Sequence, residues 1–225
     1  MLSAVSHEFR TPLSSIIGFT STILETDDLD SPSLKKYLTI VHQQANRLAR
    51  LVEEMLDLSL FESQKMLLRL RDVPMHEVAS EVMTRLQESA QKKNMKLRFE
   101  EKNTRRPIKA DRNRIEQVVY NVLDNAIKYS PIDTEVYLVV IYDADAVRIV
   151  CVDSGMGMSV EEIARAYESF YRSLRISEGI PGTGLGLTIA REIIHAHHGT
   201  IEIDSEIDSG TTVTITLPYS LHTTK

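Results

Sequence analysis

The feature that most constrains this chain is a heptad of apolar positions in its first quarter. Leu34, Val41, Leu48 and Met55 occupy one position of the repeat; Leu38, Ala45, Val52 and Ser59 occupy the other. A seam of that spacing, held for almost four repeats, suits helices packed side by side. An earlier series, Leu2, Phe9, Ile16 and Ile23, keeps the same interval, with Val5, Pro12/Leu13 and Thr20 roughly midway. Between the two series lies Thr26-Asp27-Asp28-Leu29-Asp30-Ser31-Pro32, where Pro32 after Ser31 marks the start of a second helix. The reading is a helical hairpin. Two helices alone leave half of the apolar stripe exposed, which predicts a homodimer whose paired hairpins form a four-helix bundle. The alternative is that the rest of the same chain covers the stripe.

The pattern changes near Lys65, which divides the sequence into a hairpin over residues 1–64 and a second domain over 65–225. Met66–Asp72 and Met95–Glu100 read as short strands around a helix from Pro74 to Lys93. Residues 111–129 form a helix with Ile115, Val118, Val119, Val122, Leu123 and Ala126 on one face. The β-branched runs Glu135–Tyr142 and Ala146–Val152 make a hairpin, as do Thr200–Asp204 and Thr211–Leu217; Leu185–His197 is helical. The fold class is therefore α + α/β: a hairpin forming a dimeric four-helix bundle, then a two-layer α/β sandwich with a mixed sheet. Between Met158 and Pro181 only Val160–Tyr167 is periodic, and an irregular stretch of that length is expected to be a lid.

With 42% hydrophobic and 26% charged residues, the 225-residue chain has ordinary globular composition. A net charge of −6 argues against nucleic acid or anionic membranes as partners. The single cysteine, Cys151, cannot form an internal disulfide and points to a reducing compartment. No apolar run approaches a bilayer span, and Met1–Arg10 lacks the apolar core of a signal peptide, so a cytoplasmic location is expected for this portion.

Three groups of residues could carry chemistry. Asp153-Ser154-Gly155-Met156-Gly157 follows an apolar strand, and Gly182-Thr183-Gly184-Leu185-Gly186 opens a helix. Glycines at a helix start let backbone N–H groups approach an anion, so phosphate binding is the natural chemistry, although tight turns would use the same residues. Neither stretch is a Walker A loop or a G-x-G-x-x-G fingerprint. On the helix at 111–129, Asn121, Asn125 and Lys128 project from one face. Amide oxygens suit Mg²⁺ and Lys128 suits phosphate, with a solvated polar face as the plainer alternative. In Ser6-His7-Glu8-Phe9-Arg10-Thr11-Pro12, His7 lies about 200° from seam residue Phe9 and so points away from the hairpin interior. Many such histidines are plain surface residues. Here Glu8 adjoins it, Thr11 sits one turn on, and Pro12 costs the helix about 3 kcal/mol, the kind of expense that gathers at functional sites.

Taken in order, these stretches resemble the sensor histidine kinases over nearly the whole chain. SHEFRTPLSSI (6–16) is similar to the family's phospho-acceptor box, and RIEQVVYNVLDNAIKYSP (114–131) to its N box. DSGMGM (153–158), ESFYR (168–172) and GTGLGL (182–187) resemble the G1, F and G2 boxes. The resemblance implies a dimerisation and phosphotransfer hairpin followed by an ATP-binding domain of the GHKL type, using ATP and Mg²⁺. It implies autophosphorylation of His7 and transfer to an aspartate of a response-regulator receiver domain. Glu8 would activate His7, and Thr11 would position water when the phosphorylated regulator is dephosphorylated. Asn125 would coordinate Mg²⁺ with Asn121 beside it, Lys128 would contact phosphate, and Tyr129 would pack on the base. Asp153 would accept from the adenine amino group, Gly155 and Gly157 would leave room for the base, and Gly182, Thr183, Gly184, Leu185 and Gly186 would shape the phosphate end. Arg172 of the lid would reach the γ-phosphate.

Two positions depart from the family pattern: Phe9 stands where leucine is commoner, and His198 where glycine is common. Met1 lies only six residues before the acceptor, so it is not expected to be the natural start, and any membrane anchor would lie in segments absent from this chain. Two rivals differ in kind. A GHKL hydrolase would carry a water-activating Glu four residues before the metal-binding Asn, where this chain has Asn121, with Glu116 nine residues back. A catalytically dead dimeric scaffold would lack nucleotide affinity.

Overall fold

The computed structural model describes residues 2–26, 28–63, 67–173, 175, 180 and 182–219, with only the backbone described at 2–5, 7 and 62. Two compact units follow one another, Met1–Lys65 and Met66–Lys225.

The first unit is a hairpin of α1 (Leu2–Glu25) and α2 (Ser31–Glu62). α1 runs on through Pro12, which is buried. The start of α2 differs from expectation by one residue. Asp30 is the N-cap, its carboxylate accepting from the Ser33 N–H at 3.1 Å, and Pro32 falls inside the first turn, where its missing N–H costs nothing. Phe9, Ile16 and Ile23 are half-buried, and Phe19 meets Tyr37 with ring centroids 5.4 Å apart. The hairpin interior centres on Leu51, fully buried, which the sequence series did not include. Half-buried Leu34, Val41, Leu48 and Met55 flank it. The other series, Leu38, Ala45, Val52 and Ser59, stays exposed, as do Leu13, Ile17, Leu24, Leu56 and Leu60. One of the two sequence seams therefore packs within the hairpin and the other does not.

The second unit is the expected two-layer sandwich. Its elements are β1 (Arg71–Val73), α3 (Met75–Gln91), β2 (Lys96–Lys102), β3 (Ile108–Ala110), α4 (Arg112–Tyr129), β4 (Glu135–Tyr142), β5 (Ala146–Asp153), α5 (Val160–Arg165), α6 (Gly186–Ala196), β6 (Thr200–Glu206) and β7 (Gly210–Pro218). The main sheet runs β2-β4-β5-β7-β6, with β2 parallel to β4 and the other pairs antiparallel. Alternate residues of β4 and β5 (Val136, Leu138, Val140; Val147, Ile149, Cys151) are buried together with Val78, Ile115, Leu123 and Ile189 of the helices. That is the period-2 pattern of a sheet covered on one face. Two readings need correction. β1 begins at Arg71, since Leu67–Leu70 is not strand and Met66 lies outside the described residues. Its partner β3 was not anticipated.

His197 ties two helices together at the end of α6. Its Nδ1–H donates to the Ile193 carbonyl at 2.7 Å, and its Nε2 accepts from the Asp111 N–H at 3.0 Å. Burial holds its pKa below the ordinary value, which suits a neutral ring that donates at one nitrogen and accepts at the other. Asp111 itself caps α4 through the Arg114 N–H at 3.3 Å. The next residue, His198, adopts φ 57°, a left-handed conformation that explains why glycine is the easier residue there.

Candidate nucleotide site and phospho-acceptor hairpin

α4 buries Ile115, Val118, Val119, Val122, Leu123 and Ala126 and turns its polar face toward the end of the molecule where α6 begins. On that face Asn121 Nδ2 donates to the Gly186 carbonyl at 3.0 Å. The side chain of half-buried Asn125 has no hydrogen-bond partner among the described residues. Lys128 pairs with Asp124, one turn back, at 2.5 Å.

A cleft of about 590 Å³ opens where α4 ends. The described residues lining it include Lys128, Tyr129 and Gly155 from the sequence reading, Ser130 and Met156 from the stretches it quoted, and also Lys93, Arg175 and Asp208, which that reading missed. Three cations, Lys93, Lys128 and Arg175, and one anion, Asp208, are set in a largely apolar lining; Lys128 is paired with Asp124 and Arg175 with Glu162.

Asp153 ends β5 with its carboxylate turned back on the loop that follows. Oδ1 accepts from the Gly155 N–H at 2.7 Å, and the Thr211 N–H also donates to the carboxylate. Burial outweighs both bonds and pushes the carboxyl up to about 6. Gly155 is required by close approach. A Cβ there would lie 2.6 Å from that same carboxylate oxygen and 2.9 Å from the Tyr129 carbonyl. The space is thus cleared for the protein's own backbone, and the end of α4 is pressed onto the Asp153 loop. Gly157 meets the β6–β7 turn, and its carbonyl accepts from Arg175 at 2.7 Å.

The stretch after Met158 holds α5, capped by a reciprocal Ser159–Glu162 box. Glu162 also binds Arg175 at 2.9 Å and Ser173, which pulls its pKa down to about 2. Phe170 donates its N–H to the Gly184 carbonyl at 3.0 Å. Gly184 has φ +72°, and a Cβ there would lie 2.8 Å from the Phe170 and Tyr171 backbone. Arg172 spends its guanidinium on the carbonyls of Ile180 at 2.6 Å and Gly182 at 3.4 Å. A Cβ on Gly182 would meet the Tyr129 hydroxyl at 3.6 Å. Thr183 Oγ1 accepts from the Leu185 N–H at 3.2 Å, Leu185 is fully buried, and Gly186 starts α6. Asn121, Asn125, Asp153, Gly157, Arg172 and residues 182–186 are not among the cleft's described lining residues.

In the hairpin, His7 lies on α1, and the expected direction of its side chain falls outside the described residues. Glu8 forms a partly buried ion pair with Arg47 of α2 at 2.9 Å, a partner the sequence reading missed. Thr11 is exposed on the following turn.

Comparison with known proteins matches the two units to two families. Residues 1–64 match the His Kinase A (phospho-acceptor) domain, and residues 110–221 match the histidine kinase-, DNA gyrase B-, and HSP90-like ATPases. The circadian input-output histidine kinase CikA of Synechococcus elongatus is 31% identical over 96% of this chain, and the non-motile and phage-resistance protein of Caulobacter vibrioides is 32% identical over 96%. The chain spans 29% and 26% of those proteins' own length. Among solved structures, Acinetobacter baumannii histidine kinase AdeS superposes with a TM-score of 0.77 at 26% identity, covering 96% of this chain and 98% of that one. Histidine kinase ThkA in complex with response regulator protein TrrA gives 0.76 at 27% identity, covering 98% of this chain and 61% of that one. With an acceptor-type hairpin, an ATPase-type sandwich and both families matched in order, the chain belongs to the sensor histidine kinases.

Proposed function

We propose that this chain phosphorylates His7 with ATP and passes the phosphoryl group to an aspartate of a response-regulator receiver domain. The observation that carries the reading is Asn121. Its amide holds the Gly186 carbonyl at the position where a GHKL hydrolase would place its water-activating Glu. A cleft of ATP-compatible size beside a helix whose Asn121 is no general base needs an acceptor from elsewhere, and His7 in the acceptor box supplies one.

In this reading the base packs against Tyr129, Asp153 accepts from the adenine amino group, and Lys128 leaves Asp124 for a phosphate oxygen. Arg172 and residues 182–186 shape the phosphate end. The unpartnered amide of Asn125 and the free oxygen of Asn121 fit Mg²⁺, which takes few protein ligands and completes its shell with water and phosphate. Held there, Mg²⁺ would offset negative charge on the phosphates. A neutral ring nitrogen of His7 bonds to the γ-phosphorus as the bond to the bridging oxygen breaks, ADP departs, and Glu8 takes the proton from the other nitrogen. Transfer onward regenerates the imidazole and forms an acyl phosphate on the receiver aspartate. Support for that partner comes from the ThkA–TrrA complex. Thr11 serves a phosphatase activity toward the phosphorylated regulator by positioning water.

The exposed series at Leu38, Ala45 and Val52, with Leu13, Ile17 and Leu24 of α1, supports a homodimer through the hairpin. Among the described residues no helix is long and apolar enough to cross a membrane. The test is incubation with γ-labelled ATP. The protein should acquire acid-labile label and lose it to a receiver domain, and a His7→Gln variant that still takes up label would end this account.

A further inference from the structure

Helix α4 cannot cap its own C-terminus. The carbonyls of a helix's last turn need outside donors, commonly the N–H groups of the next two residues. Here the residue after the C-cap Ser130 is Pro131, which has no N–H. Lys93, just beyond α3, fills the gap. Its Nζ donates to the carbonyls of Ile127, Lys128 and Ser130, each at 2.8 Å, using all three of its protons. The remaining carbonyl, that of Tyr129, accepts from the Met156 N–H at 3.3 Å in the Asp153 loop. The connection is returned through the backbone, since the Asp133 N–H donates to the Lys93 carbonyl at 3.1 Å. An ammonium at this end also complements the helix dipole.

Lys93 lines the cleft, yet with its donors committed it is not a phosphate ligand. What it fixes is the turn that carries Lys128 and Tyr129, and the seam where Tyr129 meets Gly155 beside Asp153. We propose that Lys93 is a positioning residue for nucleotide recognition: by capping α4 it sets the width of the slot between Tyr129 and the Asp153 loop, and so the preference for adenine over other purines. This rests on the ATP reading above. Without the cap, the last turn loses the donors for three carbonyls, and the slot loosens.

The test compares the unmutated protein with Lys93→Met and Lys93→Cys, the latter before and after aminoethylation, which rebuilds an ammonium of nearly the same reach. Cys151, the one other thiol, is buried. Thermal melts establish that each sample is folded, and titrations with ATP and GTP give two affinities apiece. Lys93→Met and unmodified Lys93→Cys should bind ATP about tenfold more weakly, as expected for a misplaced binding group, with a clearly smaller ATP-over-GTP preference. Aminoethylation should restore both. Loss of stability alone would leave the preference of the folded molecules unchanged. Folded variants with unchanged affinity and preference would overturn the proposal, and so would losses that aminoethylation does not restore. Failure of the unmutated protein to bind ATP would bring down the ATP reading itself, a result distinct from either.

Discussion

Asp153→Asn should stabilise the α/β unit and abolish ATP binding together. Burial pushes the Asp153 carboxyl from an ordinary 3.8 up to about 6, against the opposing pull of the Gly155 and Thr211 N–H groups. At about 1.36 kcal/mol per unit, the rise corresponds to about 3 kcal/mol spent on keeping the ionised form in the fold. Proton counting sets the sign. Between the two values the folded protein holds a proton that the unfolded chain has released. Stability therefore falls as pH climbs through that window, and the whole cost is present at neutral pH. Asparagine keeps the shape, and its amide oxygen can replace Oδ1 as acceptor for the Gly155 N–H, but it carries no charge. After a deduction for burying its amide, the variant gains about 1–3 kcal/mol near pH 7, equivalent to a few degrees in Tm for a unit of this size.

Melting both proteins between about pH 4 and pH 8 isolates this one group, because every other titration is shared and drops out of the difference. The asparagine variant should melt higher at neutral pH, with its advantage shrinking as pH falls through about 6. Calorimetric titration should show ATP binding lost in the variant. In the unmutated protein, binding should weaken below about pH 6 as the acceptor protonates. A variant that melts lower at pH 7, or whose advantage is indifferent to pH, would refute the burial-cost reasoning.

Other perturbations reach other parts of the molecule. His198→Gly relieves a side chain held at φ 57° and should add about 0.5–1 kcal/mol in chemical denaturation; a loss would mean that the imidazole makes a compensating contact. Val52→Glu places a charge in the exposed seam and should shift the protein from dimer to monomer in light scattering while leaving ATP binding intact. Glu8→Gln should slow His7 phosphorylation by about 100-fold or more at unchanged ATP affinity, as expected for loss of a general base; a normal rate would leave Glu8 as only the partner of Arg47. Asn121→Glu, made on a His7→Gln background, should release inorganic phosphate from ATP above the level of His7→Gln alone. No increase would show that the position by itself does not decide between water and an external acceptor.

What the sequence revealed depends on how local each cause is. β4 was readable to the residue, because six of its eight residues are β-branched or aromatic and a turn signal follows at Asp143. β3 was not, since three residues give no periodicity, and only its pairing with β1 makes it a strand. The hairpin was legible from its heptads, but which seam faces inward was not. The two series differ by about one helical turn, and only the position of α1 decides between them. The glycine stretches and Asp153 were found as motifs, although the atoms their bare backbones make room for, such as the Tyr129 carbonyl, could not be guessed. Lys93 and Arg47 were missed because a lysine or arginine on a helix reads as solvated surface. Their partners lie 34–37 and 39 residues away. One signal was present all the same: a proline directly after a helix end announces carbonyls in need of a distant donor.

The same logic explains why the site sits at helix ends. A helix interior satisfies its own backbone, so only its termini have groups to offer a neighbour or a ligand. At the start of α6 the chain leaves N–H groups on a glycine-rich turn, and Asn121 secures the adjoining carbonyl of Gly186. At the end of α4 Lys93 and the Met156 N–H satisfy the carbonyls, so this electronegative terminus does not repel an anionic nucleotide. The choice of Asn121 has a further consequence. A carboxylate there would face the Gly186 carbonyl with no proton to share, whereas an amide can brace α6 and still keep an oxygen free. On the proposed reading, the residue that braces the start of α6 is thus also the one whose chemistry withholds a base from water, so that one side chain would serve both structure and reaction outcome.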